Sequence, residues 1–252
     1  MIGRLVSNTD IPTIIVPARL ASTRFPRKLL ADAGGQPLIL RTAKRLLDQA
    51  PEFELFFAVD GEELAEPLLA EGYSCIFTDP SLPSGTDRVA EANLNLNRDI
   101  VVNVQADEPL VSRNHITSLA KGLAKEDASL STLATPFRDI ESFQDPNNVK
   151  VVLDNAGMAL YFSRSPIPHD RENGTVQSLD NKNLMPLKHL GLYAYTKDFL
   201  NKFSTLPVGT LENYEKLEQL RALEAGYKIS VSVVPGDTVG IDVPEDLLKL
   251  EE

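Results

Sequence analysis

The chain has 252 residues, 42 % of them hydrophobic and 24 % charged, enough for a packed core in one large domain or two small ones. Its formal net charge of -11 argues against general nucleic-acid binding, so any anion it takes must meet a local cluster of cations. One cysteine, Cys75, excludes an intrachain disulfide, no apolar run approaches the roughly 18 residues of a membrane span, and MIGRLVSNTD carries no apolar leader, so a cytoplasmic protein is expected.

After an irregular lead-in over residues 1–11, Thr13–Val16 is a short β-rich run that predicts a buried strand. Gln36–Gln49 places Leu38, Ile39, Ala43, Leu46 and Leu47 at helical spacing. Phe53–Val59 reads as a strand, Glu62–Ala70 as a helix closed by Gly72, and Ser74–Phe77 as a short strand. Arg88–Leu96 is predicted helical, Asp99–Val104 a third strong strand, and Asn114–Leu123 helical again. This alternation implies βαβ units and a mostly parallel sheet flanked by helices, an α/β fold.

Beyond residue 125 the pattern is less regular. Strands are predicted at Ser129–Thr135, Val149–Leu153, Ala159–Phe162, His189–Tyr195 and Ile229–Val234, a polar loop at Gly174–Asn183, and one helix over Leu211–Ala225. The expectation is a single domain over 1–252, with a half at 12–125 and a smaller mixed lobe at 126–252 that extends the sheet with some antiparallel strands.

In open parallel sheets, ligands sit beyond the carboxyl ends of the strands, so the residues that follow each strand are the first candidates. After the first strand, PARLASTRFPRK supplies Arg19, Arg24, Arg27 and Lys28 in an otherwise acidic chain. Arginine forks and a lysine point charge suit a polyphosphate, although neither a Walker A nor a GxGxxG loop is present; a solvated basic loop is the competing reading. In Ser84-Gly85-Thr86-Asp87-Arg88 either hydroxyl suits a helix N-cap, and the helix start suits an anion or a base carbonyl. VNVQADEP delivers Asp107 and Glu108 at a strand's end, where a hard cation such as Mg²⁺ takes one or two carboxylates. In Gly240-Ile241-Asp242-Val243-Pro244, Asp242 either caps the helix that Pro244 opens or provides a second metal ligand. Tyr161 to Arg164, Lys188 to Tyr193, and Glu212 with Leu217 to Arg221 are weak signals singly, and His115 and His169 read as structural.

In order along the chain, Pro17-Ala18-Arg19 with Ser22, Arg24, Pro26 and Lys28, then Ser84 to Arg88, Val102 to Pro109, Tyr161 to Arg164, His189 to Tyr193, Leu217 to Arg221 and Asp242 to Leu247 carry a joint pattern. From about residue 12 to the C-terminus the chain resembles the 3-deoxy-manno-octulosonate cytidylyltransferases, the CMP-Kdo synthetase family. The resemblance implies a Rossmann-like nucleotidyltransferase fold and an Mg²⁺-dependent enzyme of lipopolysaccharide biosynthesis. It joins CTP to a 3-deoxy-2-ulosonic acid, releasing pyrophosphate as the sugar's C2 hydroxyl attacks the α-phosphorus. It implies Arg19, Lys28, Asp107 and Asp242 as catalytic residues, the two aspartates as metal ligands, and Ala18, Arg19, Ser22, Lys28, Ser84, Gly85, Thr86 and Arg88 around the nucleotide. Gln105, Arg164, His189, Tyr193, Glu218 and Gln219 would form the sugar-acid pocket, with Arg164 a partner for its carboxylate. A homodimer is implied, built through the second half, with no nucleic-acid or membrane partner.

Three departures accompany the likeness. Arg27-Lys28-Leu29 replaces the family's Gly-Lys-Pro, Ala106 replaces the Gly after VNVQ, and His169 replaces the Trp after Ile167-Pro168. They leave open the exact acid, Kdo or an analogue such as 8-amino-Kdo. A CMP-activating enzyme for another nonulosonic acid, such as a sialic acid, and a catalytically silent nucleotide-sugar-binding protein are the alternatives.

Overall fold

A computed structural model describes residues 12–171, 186–238 and 240–250. The lead-in 1–11 and the whole loop expected at Gly174–Asn183 lie outside the described residues. In chain order the elements are β1 (Thr13–Ala18), α1 (Leu38–Gln49), β2 (Glu54–Val59), α2 (Glu62–Ala70), β3 (Ser74–Phe77), α3 (Gly85–Leu96), β4 (Ile100–Asn103) and α4 (Arg113–Gly122). They continue with β5 (Ala128–Pro136), α5 (Ile140–Gln144), β6 (Lys150–Leu153), β7 (Ala159–Ser163), β8 (Leu187–Thr196), α6 (Lys197–Phe203), α7 (Thr210–Glu215), α8 (Gln219–Glu224) and β9 (Lys228–Val233). Short 3₁₀ segments lie at Lys28–Leu30 and Pro244–Leu250.

The described residues form two compact units, and the division is not a single cut in the chain. The first comprises Met1–Ile116, Tyr195–Ser204 and Thr238–Glu252; the second comprises Thr117–Ala194 and Thr205–Asp237. The two units interleave along the chain. The last segment belongs to the first unit because Ile241 N donates to Asp107 O (3.0 Å) and Arg41 Nη2 donates to Leu250 O (2.5 Å).

In the first unit the strands run in the order β3-β2-β1-β4, and every pairing is parallel. All six residues of β1 are buried, as a central strand covered on both faces requires. Each buried Ile or Val there stabilises the fold by roughly 1.5–3 kcal/mol relative to exposure. Helix α1 buries Leu38, Ile39, Leu40, Thr42, Ala43 and Leu46 on one face. Leu47 fits the helical spacing in sequence but is exposed, in the last turn of the helix.

In the second unit β8-β5-β9 are neighbours, β5 and β9 run parallel, and β6 pairs antiparallel with both β7 and β8. The end of α4 sits directly on the sheet. A Cβ at Gly122 would stand 2.7 Å from Ser131 Cβ and 2.8 Å from Ser230 Oγ, and only glycine allows that approach. Ser131 Oγ donates to Leu119 O (2.5 Å) and Ser230 Oγ donates to Gly122 O (2.8 Å).

The single helix expected over Leu211–Ala225 is two helices, α7 and α8. Lys216 stands between them in the left-handed region (φ 54°, ψ 47°), which ends α7 although no glycine marks the position.

Candidate active site

Three strand ends and the returning C-terminal segment build the site of the first unit. The loop after β1 is tied to β2: Leu20 N donates to both carboxylate oxygens of Asp60, at 3.2 and 3.0 Å. Beyond β4, Thr42 Oγ1 of α1 donates to Ala106 O (2.8 Å), fixing the Gln105-Ala106-Asp107 turn. The Ile241–Asp107 backbone bond then brings Asp242 beside Asp107. Asp246, inside the 3₁₀ segment that follows, reaches back to accept from Asp242 N (2.8 Å) and Val243 N (3.0 Å), while Asp242 Oδ1 meets the cations of the first loop.

The four cations of the first loop have separate fates. Lys28, whose side chain is 11 % exposed, pairs with Asp107 Oδ2 and lies 3.5 Å from Asp242 Oδ1. Arg24 pairs with Asp242 Oδ1 at 2.8 Å. Arg27 turns away to Glu63, at the start of α2. Arg19 is exposed and makes no hydrogen bond or ion pair among the described residues, which leaves its guanidinium ready for an anion. A cleft of about 240 Å³ is lined by Arg19, Ser22, Lys28, Gln105, Asp107 and Asp242, among others.

A second cleft of about 300 Å³ shares Pro17, Arg19 and Gln105 with the first and reaches Ala18, Ser84, Gly85 and Arg88. Ser84 is the N-cap of α3, its Oγ accepting from Asp87 N (3.1 Å). A Cβ at Gly85 would stand 3.4 Å from Pro17 Cγ, so the start of α3 lies against the end of β1. The Thr86 side chain is buried beside the Tyr195 hydroxyl (3.4 Å), and Thr86 does not line the cleft. Arg88 is 2 % exposed and donates to Thr78 Oγ1, which donates in turn to Val59 O (2.9 Å). Burial lowers the Arg88 pKa, against the opposing pull of Asp60. Arg88 thus braces the ends of β2 and β3 as well as lining the cleft.

Asp107 and Asp242 meet on one point, for a single ammonium nitrogen pairs with both. A cation at that point has two carboxylates facing it, and no third His, Cys, Asp or Glu joins them among the described residues. Two protein carboxylates in an open cleft fit Mg²⁺, which keeps waters and takes phosphate oxygens for the rest of its shell.

The second unit gathers most of the remaining residues. Lys150 of β6 pairs with Ser163 of β7 on one side and Lys188 of β8 on the other, which sets Arg164, just past the end of β7, and His189 of β8 on its two sides. Arg164 donates through Nε to Glu215 O (2.7 Å) and through Nη1 to Pro146 O (3.0 Å), while its backbone N–H donates to Glu215 Oε2 (2.9 Å). The Lys150 ammonium, buried among carbonyls, donates to Asp145 O and Arg164 O, each at 2.8 Å. Desolvation lowers its pKa. His189 stands between Phe162 (ring centroids 4.9 Å) and Tyr193 (5.6 Å). Gln219 is buried with its Nε2 unpartnered, and Glu218 precedes it as the N-cap of α8. His169 is exposed.

Sequence reasoning missed Glu215 and Lys150, and reached Asp60 only as a polar residue at a strand end, with no role. Asp60 carried the one available signal, its place just after a strand. Glu215 acts through Ser163 and Arg164, far off in the chain, and Lys150 through the backbone carbonyls of Asp145 and Arg164, which leave no mark in sequence.

The cytidylyltransferase family pattern matches residues 13–229. The 3-deoxy-manno-octulosonate cytidylyltransferase of Leptothrix cholodnii is 46 % identical over 93 % of this chain and 88 % of its own. That of Nitratiruptor sp. is 44 % identical over 94 % of this chain and 97 % of its own. A solved CMP:2-keto-3-deoxy-manno-octonic acid synthetase complexed with CTP superposes with a TM-score of 0.86, at 35 % identity, covering 95 % of this chain and 96 % of that one. This chain belongs to the cytidylyltransferase family, in the branch of the 3-deoxy-manno-octulosonate cytidylyltransferases.

Proposed function

We propose that the protein transfers the cytidylyl group of CTP to the C2 hydroxyl of 3-deoxy-manno-octulosonate or a close analogue such as 8-amino-Kdo, giving the CMP-sugar and pyrophosphate. The observation that carries this reading is the convergence of Lys28, Asp107 and Asp242 at the mouth of a cleft that also holds the unpaired Arg19. The sugar oxygen forms a bond to the α-phosphorus as the bond between that phosphorus and the α,β-bridging oxygen breaks; pyrophosphate leaves and the hydroxyl proton is released. Arg19 and Lys28 neutralise the triphosphate, and Lys28 exchanges its carboxylate partners for phosphate oxygens as the nucleotide enters. Asp107 and Asp242 would hold Mg²⁺, which supplies charge neutralisation at the phosphate oxygens when bound. No side-chain nucleophile is needed, because phosphoryl-type transfer depends on position and charge.

Arg164 receives the carboxylate of the sugar acid in this reading. Three of its five N–H donors are directed to backbone carbonyls, counting the long contact to Lys216 O (3.5 Å), which leaves one on each terminal nitrogen for a bidentate pair. Arg27 counts against a silent binding protein, since its side chain is engaged by Glu63 and does not block the phosphate path. The reading includes a homodimer, supported by the exposed Leu160 of β7 and Val233 of β9 in the second unit, with sedimentation as its test. No described helix is long and apolar enough to cross a membrane.

The test is pyrophosphate release with CTP and Mg²⁺, comparing Kdo, 8-amino-Kdo and N-acetylneuraminate. Turnover with Kdo or its amino analogue, and little with the nine-carbon acid, is expected. Turnover with N-acetylneuraminate alone would overturn the assignment.

A further inference from the structure

Thr132 lies in the middle of β5 and is fully buried. Its Oγ1 is 2.8 Å from Leu192 O, 3.1 Å from Leu190 O and 3.0 Å from His189 Nε2. A hydroxyl has one proton and two lone pairs, whereas a carbonyl oxygen only accepts. If the Thr132 proton were sent to the imidazole, the hydroxyl lone pairs would face two carbonyl oxygens with no proton between them. The proton therefore goes to the carbonyls, and the imidazole supplies the other hydrogen bond from Nε2–H. In a neutral imidazole this leaves Nδ1 bare. The ring is neutral, because burial pushes its pKa down to about 3. Its plane is held by Phe162 and Tyr193, and its backbone by the bond from His189 N to Val149 O (2.8 Å).

We infer that Thr132 is a positioning residue that fixes His189 as the Nε2–H tautomer, so that Nδ1 accepts a hydrogen bond from a donor group of the bound sugar acid, a hydroxyl or an ammonium. The inference rests on the assignment of the second unit's residues to the sugar acid. It also gives His189 a polarity. A neutral ring offering a lone pair selects a donor and turns away a carboxylate oxygen, which divides the work with Arg164: the guanidinium takes the acid group and the imidazole takes a hydroxyl or amine. An 8-amino substituent would satisfy the same acceptor as a hydroxyl.

The test uses the full chain, with Thr132→Val, which keeps the shape and removes the hydroxyl, and Thr132→Ser, which restores it. In the wild type, ¹⁵N-detected imidazole spectra without substrate are expected to show the proton on Nε2 of His189. In T132V that tautomer is lost or mixed with the other. The KM for Kdo rises about tenfold, the worth of one hydrogen bond, while the KM for CTP is unchanged. T132S restores both. A wild-type proton on Nδ1, or a T132V enzyme whose KM for Kdo stays within twofold, would overturn the inference. If the wild type releases no pyrophosphate with Kdo or with 8-amino-Kdo, the proposed function fails by that result. The spectra then decide this inference alone: Nε2–H lost in T132V upholds the role of Thr132, and Nδ1–H in the wild type refutes it.

Discussion

Arg27 occupies the left-handed region (φ 57°, ψ 28°) at the entry to the 3₁₀ segment that presents Lys28. A side chain there costs roughly 1–2 kcal/mol relative to the right-handed region, and glycine carries no such cost. Replacing Arg27 with glycine relieves that strain but frees the unfolded chain, which offsets about 0.4–1 kcal/mol. It also removes the Arg27–Glu63 pair. With side chains 60 % and 45 % exposed, that pair contributes about 0–1 kcal/mol. The sum for R27G against wild type is near zero. R27A loses the same pair and keeps the strain, so the difference between the two variants isolates the backbone. R27G is expected to be the more stable by about 1 kcal/mol, read from urea midpoints at equal slope. Both variants should keep kcat/KM within about threefold of wild type, because the guanidinium points to α2 and away from the phosphate cleft. The reasoning is refuted if R27G is no more stable than R27A. It is refuted equally if both lose activity by thirtyfold or more while folded, which would place Arg27 on phosphate.

Other consequences can be measured separately. His189 is neutral in the fold, its pKa depressed from 6.5 to about 3, so the unfolded chain binds the extra proton. Stability owed to this group is intact above pH 6.5 and falls by up to about 1.4 kcal/mol per pH unit as pH drops toward 3; the acid loss should be shallower in H189Q, and equal slopes would contradict it. The Glu212–Arg221 pair is bidentate (2.8 and 2.6 Å) with both side chains 11 % exposed. Glu212→Ala should cost about 3 kcal/mol in denaturant unfolding, and a loss below 1 kcal/mol would mean that water reaches the pair. Lys150→Met removes the donor that holds Arg164 O and Asp145 O. It should raise the KM for Kdo about tenfold at unchanged KM for CTP, and a rise in the CTP value instead would detach Lys150 from the sugar side.

The strands of the first unit were legible because a buried parallel strand is a short apolar run, and TIIVPA and IVVN are just that. The break at Lys216 was not legible, since a lysine in the left-handed region leaves no mark in sequence. Helices α5 and α6 were missed because five and seven residues are too few to show a period. The site was readable as residue types at strand ends, and Lys28, Asp107 and Asp242 meet there. The partition of the cation cluster was not. Nothing in PARLASTRFPRK tells that Arg24 goes to Asp242, Arg27 to Glu63, and that Arg19 alone is left unpaired, because those choices depend on acids delivered by other segments. The same limit hid Thr132: its significance lies in what surrounds its hydroxyl.

The most direct measurement is pyrophosphate release from CTP, Kdo and Mg²⁺ by the wild type beside D107N and D242N. The account predicts Kdo-dependent release by the wild type and a loss of about 10²-fold or more in each variant, with folding retained. Release by both variants at the wild-type rate, or none by the wild type with either Kdo or 8-amino-Kdo, would contradict it.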